Sequence, residues 1–140
     1  MLERINQRYL IKDIFHFVKE NSLAGWKKKK EMFDGHLVKP FSQRYRLFMT
    51  KGTTCTVCGL EGMFFYKEKH PDSTSYHFNL YGIKDDGDEV LFTKDHIIAR
   101  SRGGRDIISN YATMCSECNV EKGGMSLDEW EEYRKNKNDR

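Results

Sequence analysis

Proline is scarce, with two residues in 140, so segment boundaries have to be read from glycines, charge and changes of period. No apolar run approaches the roughly eighteen residues of a membrane-spanning helix, which excludes a helical membrane protein. The N-terminus carries no basic, apolar and small-residue leader, so a cytoplasmic protein without a membrane partner is expected. Net charge is only +3, too little for a polycation that coats nucleic acid indiscriminately, although the positive charge is clustered. Cysteine is limited to four residues in two C-x-x-C pairs, Cys55/Cys58 and Cys115/Cys118. In a reducing compartment two such pairs point to zinc rather than to disulfides.

What is present fits one domain of α+β class. A hydrophobic content of 38% with 13% aromatics supplies a sizeable core. Residues 1–52 read as a basic helical region and 53–140 as a second region, the two forming one compact unit. Ile5, Tyr9, Leu10, Ile11, Ile14, Phe15 and Val18 recur at helical intervals and predict a helix over 2–18, stopping near Gly25. His16 lies among aromatics there and is expected to be a partly buried structural histidine. Lys27, Lys28, Lys29 and Lys30 follow, flanked by Trp26 and Phe33, with Arg44 and Arg46 beyond. This stretch is either a solvated face on one or two short helices or a phosphate-contacting surface. Past Pro40, a helix is expected over 42–49.

Between the cysteine pairs, 62–69, 75–82 and 89–97 alternate apolar and polar residues and are separated by HPDST and KDDGDE, which predicts a β-meander. His70 and His77 are read as surface or sheet-face residues. Ser126 to Glu129 forms a capping box ahead of a short helix that would bury Trp130.

The densest chemistry runs from Lys94 to Gly124. The third strand ends on Asp95 and His96, whose side chains point to opposite faces of a strand and can share a site only where the chain turns. Arg100 to Arg105 supplies that turn through Gly103 and Gly104, and its three arginines face an anionic partner. A second strand over 111–114 and a helix from about Cys115 complete the stretch.

The pattern D-H-I, then Asn110, then C-x-x-C-N-x-x-K-G from Cys115 to Gly123 resembles the zinc-stabilised HNH nuclease motif. Asn110 stands fourteen residues after His96, and Asn119 nine further on. The resemblance implies a ββα-metal (His-Me finger) core carrying a β-meander insertion, N-terminal helices and a four-cysteine zinc site. It implies an endonuclease acting on DNA, most plausibly double-stranded, and is similar in kind to phage, mobile-element and restriction enzymes. By the same resemblance His96 is the general base, Asp95 and Asn119 hold a catalytic Mg2+ or Mn2+, and Asn110 orients the loop and histidine. The chemistry agrees: an imidazole accepts a proton near neutral pH, and hard oxygen donors suit a hard cation.

Structural Zn2+ would take Cys55, Cys58, Cys115 and Cys118. Arg100, Arg102, Arg105 and Lys94 would neutralise phosphates, and Lys122 is either another such contact or a cation favoured by the helix C-terminus. One motif gives one active site, so cutting both strands requires a homodimer or successive nicks. Two other classes fit the same residues. One is a catalytically silent zinc-stabilised module that binds nucleic acid or protein; the other is an inhibitor or adaptor that uses the basic N-terminal region to occupy a partner's nucleic-acid channel.

Overall fold

The computed structural model describes residues 1–22 and 29–138. Lys27 and Lys28 lie outside the described residues. An antiparallel five-stranded sheet has the order β1-β4-β5-β6-β7, from β1 (Glu3–Leu10), β4 (Phe64–Lys69), β5 (His77–Ile83), β6 (Glu89–His96) and β7 (Tyr111–Cys115). A small hairpin, β2 (Glu31–Phe33) and β3 (His36–Val38), stands apart from it. The helices are α1 (Ile11–Ser22), α2 (Gln43–Lys51), α3 (Ser116–Lys122) and α4 (Leu127–Asn138). The molecule is mixed α and β, as expected. None of its helices is long and apolar enough to cross a membrane.

One face of the sheet meets α1 and α2 across a core that includes Ile14, Val18, Tyr45, Phe48, Phe65, Phe78, Leu80 and Phe92. The same cluster takes in Met114, Cys115 and Cys118, so one core joins the N-terminal elements to the second cysteine pair. Apolar side chains at alternate strand positions supply this face. The opposite face carries Phe64, Tyr66 and Tyr81, covered by arginines rather than by a helix. The Arg4 guanidinium lies 3.9 Å from the Tyr66 ring centre and that of Arg8 4.2 Å from Phe64. Cations on aromatic faces let a sheet surface be buried without a further layer.

Two expectations for the N-terminal region are corrected. The helix expected over 2–18 is a strand to Leu10 and a helix only afterwards. β1 caps the open edge of β4, with Glu3 opposite Lys69 and Arg4 opposite Glu68, and the Arg4 Nε to Glu68 Oε2 distance is 2.8 Å. The register shifts between Ile5 and Tyr9, which breaks the two-residue period and left the apolar positions at helix-like spacing. His16 is exposed and pairs with Glu20 on the next turn rather than packing in the core.

The short helices expected around Lys29 to Val38 are instead the β2–β3 hairpin. Asp34 (φ 47°) and Gly35 (φ 85°) take the two left-handed positions of its turn. Buried Lys67 donates to the carbonyl oxygens of Phe33 and Asp34 and to His36 Nδ1, tying the hairpin to β4.

Elsewhere the expected elements form with small changes of boundary. Ser42 Oγ accepts the Tyr45 amide and starts α2. Tyr45 Oη in turn accepts the Phe78 amide, where β5 has lost its β6 partner. Ser126 Oγ accepts the Glu129 amide while Glu129 Oε1 accepts that of Ser126, the reciprocal pair of a capping box. Trp130 is fully buried, and Arg134 one turn on donates to the Val57 carbonyl, joining α4 to the first cysteine knuckle.

Candidate active site and metal centre

β6, the loop after it, β7 and α3 form one strand, loop, strand and helix unit. β6 and β7 pair from Phe92 opposite Cys115 to His96 opposite Tyr111. Asp95 and His96 therefore both lie on the strand and leave it in opposite directions, Asp95 toward α3 and His96 toward the loop. The Asp95 Oδ2 to Lys122 Nζ distance is 2.8 Å, and Lys122 also donates to the His96 carbonyl oxygen at 3.2 Å. Lys122 is buried, so its ammonium faces Asp95 and not solvent. Of the two readings left open for this lysine, a phosphate contact does not match that placement.

Asn119 sits one helical turn before Lys122, on the α3 face that looks at Asp95. Its side chain makes no hydrogen bond among the described residues. Asp95 Oδ2 is buried and, apart from the Lys122 ion pair, accepts no hydrogen bond. Two unfilled oxygen donors facing one groove are a donor set suited to a hard divalent cation.

The loop between β6 and β7 is shaped by Gly103, Gly104 and Asn110. Gly103 takes a left-handed conformation after a 3₁₀ turn at Arg100–Arg102. At Gly104 a Cβ would lie 1.7 Å from the Ile98 carbonyl oxygen, so the loop closes only around a residue without a side chain. Asn110 staples it: Nδ2 donates to the carbonyls of Ile98 and Arg105, and Oδ1 accepts the Ile98 amide at 2.9 Å.

His96 Nε2 lies 2.7 Å from Asp106 Oδ1, and its ring stands 4.9 Å from that of Tyr111. The hydrogen bond with His96, helped by the charges of Arg100 and Lys94, holds the Asp106 carboxyl below the usual carboxylate range. Beside them, the Gln43 side chain accepts from Lys94 Nζ at 2.5 Å and from Tyr111 Oη at 3.3 Å, and donates to the Asp106 carbonyl. The start of α2 is thus one wall of the site. Burial pushes the Lys94 ammonium down.

Asp106, Gln43 and Tyr111 were not identified from the sequence. Asp106 offered only its closeness to the arginine turn, and Gln43 is distant in the chain and carried no signal. The expected cations are dispersed. Arg100 and Arg105 are exposed on the loop, and Arg102 pairs with Glu129. Lys29 pairs with Glu31, and Lys30 donates to Thr74 Oγ1.

Cys55, Cys58, Cys115 and Cys118 converge, with all four Sγ atoms within 4.8 Å of one another and Cys58 to Cys115 at 3.8 Å. A tetrahedral zinc with Zn–S bonds of about 2.3 Å has sulfur–sulfur edges of about 3.8 Å, so the sulfurs already stand at a closed site's spacing. The Cys115 thiol, with the backbone amides of Val57 and Cys58, lowers the Cys55 thiol, while burial raises Cys118. A knuckle that directs amides at sulfur favours the thiolate a metal needs.

These features define a metal-assisted hydrolytic class of site: a histidine oriented by a carboxylate, a groove with oxygen donors and a sulfur-braced scaffold. An HNH endonuclease family model matches residues 84–132, which hold β6, the loop, β7, α3 and the start of α4. The chain matches no curated protein and no solved structure.

Proposed function

We propose that the protein is an HNH-type endonuclease that hydrolyses DNA phosphodiester bonds, with His96 as general base and one Mg2+ or Mn2+ held by Asp95 and Asn119. The observation that carries this reading is the family match, because residues 84–132 contain Asp95, His96, Asn110 and Asn119 together. His96 takes a proton from the attacking water. Asn110 acts on the loop, whose carbonyls it holds in place. Arg100 and Arg105, exposed beside the site, neutralise backbone phosphates. When bound, the cation supplies Lewis-acid stabilisation of the phosphate and the leaving oxygen. The four cysteines hold a structural Zn2+ that braces α3 against β7. Double-stranded DNA is the substrate, and two-strand cutting proceeds through a homodimer or successive nicks.

The test is conversion of supercoiled plasmid by wild type and His96→Ala, each in EDTA, Mg2+ and Mn2+. Loss of the base should lower the rate by about 10² to 10⁴ while fold and zinc content persist. Wild-type protein that binds DNA but cuts with neither metal would replace this reading with the non-catalytic binding module.

A further inference from the structure

Asp106 is placed by the loop and not by chance contact. Its backbone carbonyl accepts Gln43 Nε2 at 3.2 Å, the preceding carbonyl, of Arg105, accepts Asn110 Nδ2 at 2.9 Å, and Arg100 Nε lies 3.7 Å from its Oδ1. The carboxylate is therefore delivered to His96 by three elements: the start of α2, the asparagine staple and the arginine turn. On the other side the Tyr111 ring limits rotation of the imidazole.

We propose that Asp106 is a positioning residue that fixes His96 with its proton on Nε2 and so presents a bare Nδ1 as the base. This rests on the nuclease reading of His96. An ionised carboxylate can only accept, so the shared proton belongs to Nε2, and the neutral ring's lone pair is at Nδ1. In the reaction the water O–H bond breaks and its proton passes to Nδ1, while the water oxygen bonds to phosphorus. The P–O bond to the leaving group breaks, and that oxygen takes up a proton from solvent. Asp106 then faces an imidazolium, whose charge it stabilises without itself accepting the proton. The carboxylate touches neither water nor phosphate, which makes its role one of orientation.

The test pairs kinetics with an imidazole ¹H–¹⁵N spectrum of zinc-loaded protein, recorded above the ordinary imidazole range. In wild type the His96 signal should show a protonated Nε2 with a slowly exchanging proton and an unprotonated Nδ1. In Asp106→Ala that proton should exchange with water and vanish. Nicking kcat should fall about 10- to 100-fold, as for other residues that orient a catalytic group, with KM for DNA little changed. Asp106→Glu should recover part of both. Asp106 is about half exposed, and an unaltered thermal transition would show that the variants fold. A wild-type His96 protonated at Nδ1, or an Asp106→Ala kcat equal to wild type, overturns the proposal and leaves the nuclease reading intact. A wild type that never cuts, yet shows the protected Nε2 proton, supports the Asp106–His96 pairing and removes the nuclease reading instead.

Discussion

Lys122 Nζ lies 2.8 Å from Asp95 Oδ2, so a buried ammonium on α3 closes against the carboxylate that leaves β6 toward it. This pair ties the helix to the strand end and sets which way the carboxylate points. Breaking a buried pair by removing one partner costs more than the pair itself contributes, because the remaining charge stays desolvated. Lys122→Met should therefore lower stability by about 3 kcal/mol in metal-free urea unfolding. Divalent cation should restore part of the loss if it binds at Asp95. A variant as stable as wild type would show that Asp95 is solvated well enough to need no partner.

The Gly104 contact makes the loop sensitive to one methyl group. Gly104→Ala drives a Cβ into the Ile98 carbonyl and should open the asparagine staple. Hydrogen exchange at the Ile98 amide, which Asn110 Oδ1 accepts, is the direct reading, and its protection should be lost. Full protection together with wild-type nicking would mean that the loop has another way to close.

Zinc should be inseparable from folding. Chelation, or Cys115→Ser, should abolish the cooperative thermal transition, since four converging thiols without a cation leave α3 and β7 unjoined. Metal analysis should give one tightly held zinc per chain. A zinc-free protein that still melts cooperatively would contradict the structural role.

His77 gives a pH dependence with a definite sign. Burial first, and the charges of Arg44 and Lys39 next, hold its imidazole below the ordinary value, and Nδ1 is buried without a partner. Below about pH 6.5 the unfolded chain therefore binds this proton before the folded one does, and the protein loses stability as pH falls toward the depressed value. The thermal midpoint of wild type should drop between pH 7.5 and pH 5 by more than that of His77→Gln. Equal drops would assign the acid sensitivity to other groups.

The three loop arginines should separate in a salt titration of DNA binding. Arg100 and Arg105 are exposed, whereas Arg102 is engaged with the capping residue Glu129. Replacing either of the first two by Ala should reduce the logarithmic salt slope by about 0.9, the release of one phosphate's counterions. Arg102→Ala should leave the slope unchanged and loosen the start of α4. A slope change for Arg102 alone would reverse the assignment.

Much of the chain was legible because local signals agreed with one another. The meander strands, the α2 cap at Ser42, the capping box at Ser126 and the two cysteine knuckles are each written within a few residues. The N-terminal strand was not. Ile5 and Tyr9 carry no reliable period across an irregular register, and the open edge of β4 that they complete lies about sixty residues away in the chain. The β2–β3 hairpin did have a signal, Asp34-Gly35 between two short β-forming stretches, which the neighbouring lysine run obscured.

For the site, the order and spacing of Asp95, His96, Asn110, Asn119 and the cysteines named the chemistry, because ligand type and separation are properties of sequence. Tertiary structure alone decided which groups answer them: Asp106 on His96, Lys122 on Asp95, and Gln43 of α2 between Lys94 and Tyr111. Those partners come from different elements, and a side chain's hydrogen-bond partner depends on how helices and loops pack against a strand, which no local pattern encodes.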